Sequence, residues 1–133
     1  MVLRASRNCY IPANKMLQDI IKKHGKKFKV TFSISGITLE MLEKYAPETL
    51  ESFKQLANTG QVEFLSETYY HSLSFLYSKA EFKRQIDLHR QAIKKHFNQE
   101  PKVFRNNELL YSNDIASFVE EMGYRGILCE GEG

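Results

Sequence analysis

Four short apolar runs, separated by helix-period segments, constrain this chain more than any other feature. Residues 28–34 alternate as a strand before Ser35-Gly36, and residues 62–66 do the same. Val103 and Phe104 start a third run after Pro101, and residues 125–130 form the last. Between them, Met16, Leu17, Ile20 and Ile21 share one face of a helix that opens near Pro12 and stops at Gly25. Leu39 and Leu42 begin a helical stretch that Pro47 interrupts, and Leu50, Phe53, Leu56 and Ala57 continue it as a new helix. Ser78 is placed to cap a long helix with Phe82, Ile86, His89, Ile93 and Phe97 on one face. Ile115, Phe118, Val119 and Met122 mark another. The order α-β-α-α-β-α-β-α-β predicts an α/β fold of about four parallel strands joined by right-handed helical crossovers. With a helix first and a strand last, both flanks lack partners, as in an arc of a larger barrel or sheet.

At 133 residues the chain can hold one domain with a real core, and 42% hydrophobic residues fit a globular protein. A net charge of +3 is small, and the short basic clusters at 22–27 and 94–96 fall at helix ends, where cations favour the dipole. That argues against a nucleic-acid partner. No run of 18 apolar residues occurs, so no membrane partner is expected. Cys9 and Cys129 show no CxxC spacing and read as free thiols in a reducing, cytoplasmic compartment. Residues 1–6 have no evident structural role and read as a boundary rather than a natural beginning.

Three of the strands finish in polar clusters. Residues 67–71 hold Glu67 and His71, residues 105–108 read Arg-Asn-Asn-Glu, and the last strand ends on Glu130. In parallel α/β folds such ends converge on one rim, where ligands bind. A rim with three glutamates, an arginine and a histidine is costly to bury without partners. The plain alternative is a polar strand end whose Asn and Glu cap the next helix. An arginine beside a carboxylate favours its charged, nucleophilic form, and Arg105 is placed for that. Retaining glycosidases use two carboxyl groups roughly 5 to 5.5 Å apart, one attacking the anomeric carbon and one donating a proton. Glu108 can supply the first; the second is Glu67, Glu130 or a group outside this chain.

The segments Lys29-Val30-Thr31-Phe32-Ser33-Ile34-Ser35-Gly36, the run from Gly60 through Glu67 and His71 to Leu73, and Val103-Phe104-Arg105-Asn106-Asn107-Glu108-Leu109-Leu110-Tyr111 resemble glycoside hydrolase family 57, in its α-amylase-like branch. The segment from Gly123 to Gly131 is similar too, and the likeness runs in order from Asn8 onward. The resemblance implies a seven-stranded (β/α) barrel that hydrolyses or transfers α-glucan chains with retention, and it implies no cofactor. The family's nucleophile falls on Glu108, and His71 falls at a substrate-contacting position. Glu67, Arg105 and Glu130 complete the expected substrate-binding set. The family opens on a His-Gln-Pro motif, absent here, and its general acid is an aspartate on a strand beyond Gly133. The chain therefore reads as a single segment of the barrel, lacking the first and later strands and inactive alone. Its open sheet edges invite self-association.

Two other readings stay in view. Metal-dependent polysaccharide deacetylases resemble the chain in topology, but their paired aspartates and His-Ser-x-x-His motif become 31–35 and 71–75 here. Phe75 stands where a second imidazole belongs, so a divalent metal has no cage. A non-catalytic carbohydrate-binding module would use Tyr69, Tyr70, Tyr77 and Tyr111 to stack on sugars, although such tyrosines more often pack half-buried. His89 and His96 lie too far apart for one metal and read as surface or partly packed. Cys129 reads as a buried thiol, and Glu63 as facing helices instead of the rim.

Overall fold

The computed structural model describes residues 1–131. The helices are α1 (Val2–Ala5), α2 (Ile11–His24), α3 (Gly36–Tyr45), α4 (Pro47–Asn58), α5 (Lys79–Phe97) and α6 (Asn113–Glu121). The strands are β1 (Val30–Phe32), β2 (Val62–Phe64), β3 (Val103–Arg105) and β4 (Gly126–Leu128). This is the alternation expected, with each strand only three residues long. β1 and β2 form one two-stranded sheet, β3 and β4 another. Among the described residues no helix is long and apolar enough to cross a membrane.

The chain divides into two compact units. The first comprises residues 1–32 and 38–63. Here the structure corrects the expected start of the first helix. Helix begins at Val2, passes through a wide turn at Ser6–Tyr10 and continues as α2. In that turn the Ile11 N–H reaches back five residues to the Ser6 carbonyl. Pro12 is the physical reason: it has no N–H to donate and its ring crowds the preceding turn, so widening absorbs the misfit. The buried face of α2 also differs from expectation, for Met16 is 57% exposed while Asn14 and Ile21 are buried. Asn14 Nδ2 donates to Ser52 Oγ at 2.8 Å and Gln18 Nε2 to Gln55 Oε1 at 3.1 Å. The seam between α2 and α4 thus mixes amides with the buried side chains of Leu50, Phe53 and Leu56. Phe53 meets the rings of Phe32 and Tyr10 at 5.2 and 6.2 Å.

The second unit comprises residues 33–37 and the chain from Phe64 onward. Ser78 Oγ caps α5 by accepting the Glu81 N–H, as expected, and Ser112 Oγ caps α6 by accepting that of Ile115. β3 and β4 pair in parallel, with Phe104 opposite Ile127 and Arg105 opposite Leu128. Ser66, just past β2, makes a further parallel bridge to Phe104. Phe82 and Ile86 of α5, Phe104, Ile115 and Val119 of α6, and Tyr124 form the core. Phe82 and Phe104 meet edge to face at 5.7 Å. Full burial of side chains this size is worth about 1.5–3 kcal/mol each. The Tyr124 hydroxyl and Ser66 Oγ share a hydrogen bond of 2.7 Å. Burial pushes the pKa of that phenol above its ordinary value, and the Ser66 bond partly opposes this.

Two further expectations are corrected here. His89 is fully buried on the inner face of α5. Its Nε2 lies 2.8 Å from the Ile34 carbonyl oxygen, and its Nδ1 accepts the Glu67 N–H at 3.4 Å. Both ring nitrogens have partners, which is what makes this burial tolerable. Cys129 is exposed, because β4 ends one residue earlier at Leu128. Glu63 is exposed between buried Val62 and Phe64, by the strand's alternation.

Candidate active site

Phe104, held in the core, fixes where β3 ends. Beyond Arg105 the chain makes one tight turn, Asn107–Leu109. Glu108 sits there at φ 52° and ψ 17°, and Leu109 follows at φ 56°. His71, past β2, also has φ 52°. For residues with a Cβ this left-handed region costs roughly 1–2 kcal/mol each, and it persists only where surroundings impose it. The consequence is local and specific: His71 Nε2 lies 3.0 Å from Glu108 Oε1. Both side chains remain open to solvent, 53% and 69% exposed.

The segment that carries His71 is tied on several sides. Thr68 Oγ1 accepts the Ser72 N–H at 3.1 Å. Gln85 of α5 accepts the Tyr70 N–H at 3.4 Å, and its amide donates to Glu81 at 2.9 Å. Glu81 in turn takes two bonds from Arg84, at 2.7 and 2.8 Å. Those bonds, with the one from Gln85, hold the Glu81 carboxyl down to about 2. Asn107 Nδ2 donates to Thr68 Oγ1 and to the Ser72 carbonyl, each at 2.7 Å. Gly36 lies under the Tyr69 ring, where an added Cβ would stand 2.1 Å from a ring carbon. Only glycine fits there.

The expected site residues are thus unequally placed. His71 and Glu108 are brought together. Glu67 is 3% exposed, and its carboxylate accepts a hydrogen bond from Ser33 Oγ. Arg105 is half-buried, and its N–H donates to the Ser66 carbonyl at 2.8 Å. Its guanidinium makes no ion pair with Glu108 among the described residues; histidine holds that position instead. The reason is the turn, which separates Glu108 from the strand end and aims it at His71. Glu130 is exposed, and its N–H donates to the Leu109 carbonyl at 3.3 Å, linking the exit of β4 to the Glu108 turn. Asn107, Thr68 and Gln85 were not singled out by sequence. Asn107 stood inside the polar cluster, but its partners lie more than thirty residues away, at separations of 39 and 35. No three His, Cys, Asp or Glu side chains among the described residues gather closely enough to hold a metal ion.

Short strands alternating with helices, with an acid–imidazole pair on the turns after two of them, define a (β/α) fold. The chain belongs to glycosyl hydrolase family 57, whose model matches residues 2–133. It is 39% identical over 129 residues to a Methanocaldococcus jannaschii protein named as a candidate alpha-amylase, covering 96% of this chain and 27% of that one. The chain thus spans about a quarter of that relative's length. The fold matches the crystal structure of 4-alpha-glucanotransferase from Thermococcus litoralis with a TM-score of 0.82, at 21% identity, over 95% of this chain and 19% of that one. It also matches the peptidoglycan deacetylase PdaC from Bacillus subtilis, at a TM-score of 0.59 and 23% identity, over 85% of this chain and 50% of that one. At such identities the likeness concerns fold alone. The architecture is common to both enzyme classes, and it is the family match that separates them.

Proposed function

We propose that this chain is a single segment of the (β/α)7 catalytic barrel of a retaining α-glucan hydrolase or transferase, and that Glu108 is its nucleophile. The observation that carries the reading is the solvent-open Glu108 carboxylate, held 3.0 Å from the His71 imidazole. With the Nε2–H tautomer of His71 donating to Oε1, the other carboxylate oxygen is free to meet a sugar carbon. That oxygen attacks the anomeric carbon, and the glycosidic C–O bond breaks. The leaving oxygen takes a proton from a general acid, which the family resemblance puts on an aspartate beyond Gly133. Water then releases the glycosyl ester as free sugar, or a sugar hydroxyl takes the chain by transfer. His71, Arg105 and Glu130 form the proposed sugar-contacting set. Glu67 is too deeply buried to reach a sugar without a shift of the segment around it.

On that reading the 133-residue chain by itself is expected to leave maltooligosaccharides intact. Clear turnover that depends on Glu108 would refute the fragment reading. With the rest of the barrel supplied, Glu108→Gln should retain glucan binding and lose turnover by roughly 10⁴-fold or more. A non-catalytic sugar-binding surface is the second reading, favoured by Tyr77, Tyr111 and Tyr70 at 88%, 50% and 49% exposure. It predicts full turnover in the same variant. The free, exposed thiols Cys9 and Cys129 suit a reducing cytoplasm. The open edge of β4 gives the isolated chain a route to self-association, and a strict monomer across a concentration series in sedimentation would count against that.

A further inference from the structure

Two left-handed residues on separate segments must be held at once for His71 to meet Glu108, and neither is a glycine. One side chain is bonded to the neighbours of both. Asn107 directly precedes Glu108, and its Nδ2 donates to the carbonyl of Ser72, which directly follows His71. The second Nδ2 proton goes to Thr68 Oγ1, which also accepts the Ser72 N–H. Ser72 is therefore gripped at both its N–H and its carbonyl. Asn107 is 1% exposed, so water does not compete for these bonds. Its Oδ1 is buried and has no partner among the described residues, so the bonds that hold this side chain are those its Nδ2 donates.

From this we infer that Asn107 is the positioning residue of the acid–imidazole pair. It touches neither sugar nor reacting atoms; it acts by fixing the loop of His71 against the turn of Glu108. An amide is needed, because both its targets are acceptors. A carboxylate of the same shape would face the Ser72 carbonyl with no proton to share. The inference extends the proposed role of Glu108 and takes its functional meaning from it, but the geometry can be tested without sugar.

The test is a spectroscopic double-mutant cycle on the 133-residue chain, reading the His71 ring nitrogens and ring protons by NMR. In the parent chain, Glu108→Gln should displace the His71 ring signals, since it replaces the group at Nε2. In an Asn107→Asp background the same Glu108→Gln change should leave them unmoved, because the pair has already parted. The signals of buried His89 serve as the internal control and should stay in place throughout. If Asn107 only stabilises the fold, melting will fall while the His71 response to Glu108→Gln persists in full; that result overturns the inference. Should Asn107→Asp not fold, Thr68→Val removes one of the two acceptors, and loss or persistence of the response in that background decides in the same way. Failure of the glycosidase reading is separate. A covalent sugar found on another carboxylate would refute the nucleophile role while leaving this cycle as expected.

Discussion

Asn98 and Glu108 have nearly the same backbone, φ 52° with ψ 35° in one and φ 52° with ψ 17° in the other. At Asn98 the conformation terminates α5: its N–H bonds the Lys94 carbonyl, and asparagine is one of the few residues that adopt this geometry cheaply. Nothing beyond the helix is required. At Glu108 the residue type is unfavourable, no long helix ends there, and the anchors are remote in sequence. The same dihedral angle is local punctuation in one place and imposed strain in the other. Strain of the second sort gathers at functional sites, because only selection for geometry would retain it.

The contrast can be broken most severely from beneath. Phe104→Ala removes the ring that fixes the end of β3 and should cost about 3–5 kcal/mol in urea unfolding. The His71 ring signals should then collapse toward random-coil positions. By comparison Tyr77→Ala, at an 88% exposed position, should change stability by less than about 0.5 kcal/mol.

Next comes pH. Burial pushes the His89 imidazole below its ordinary range, opposed by the Ile34 carbonyl and by Glu67. A group depressed in the folded state binds its proton more readily once unfolded. Its contribution is therefore whole above about pH 6.5, the ordinary histidine value, and is lost as pH falls from there toward the folded value. Chemical denaturation from pH 8 to 5 should show this acid limb, and His89→Gln should flatten it. An unchanged slope in the variant would contradict the buried, neutral assignment.

Smaller still is the direct comparison of the two left-handed sites. Glu108→Gly should raise stability by about 1 kcal/mol, by removing the Cβ penalty, while abolishing the contact with His71. Asn98→Gly should change it by only a few tenths of a kcal/mol. Equal effects at the two positions would mean that Glu108 is an ordinary turn residue.

Much of the fold was legible because it rests on periodicity. The apolar runs named all four strands, Ser78 announced α5, and Gly25 announced the end of α2. His89 is instructive in the other direction. Its spacing with Phe82, Ile86 and Ile93 put it on the inner face, yet its distance from His96, too great for a shared metal, left it read as surface or partly packed. Periodicity was the better guide, since two backbone groups complete its hydrogen bonds. Cys129 failed for the opposite reason: a strand pattern says little about where a short strand stops. The wide turn before α2 was hidden because Pro12 reads as a helix start, whereas here it sits inside a longer one. At the site, Glu108 and His71 were visible as polar strand ends. The bonds from Asn107 to Thr68 and Ser72 were not, because they join segments that no local pattern relates.

In the proposed reaction Glu108 is the group that becomes bonded to sugar. A fluorinated glucosyl fluoride tests it directly, since fluoride leaves without a general acid and the ring fluorine slows release of the ester. After incubation, digestion and mass spectrometry, the glucosyl mass should sit on the peptide carrying Glu108 and be absent from Glu108→Gln. A glucosyl adduct on Glu67 or Glu130, or one that survives Glu108→Gln, would contradict the account.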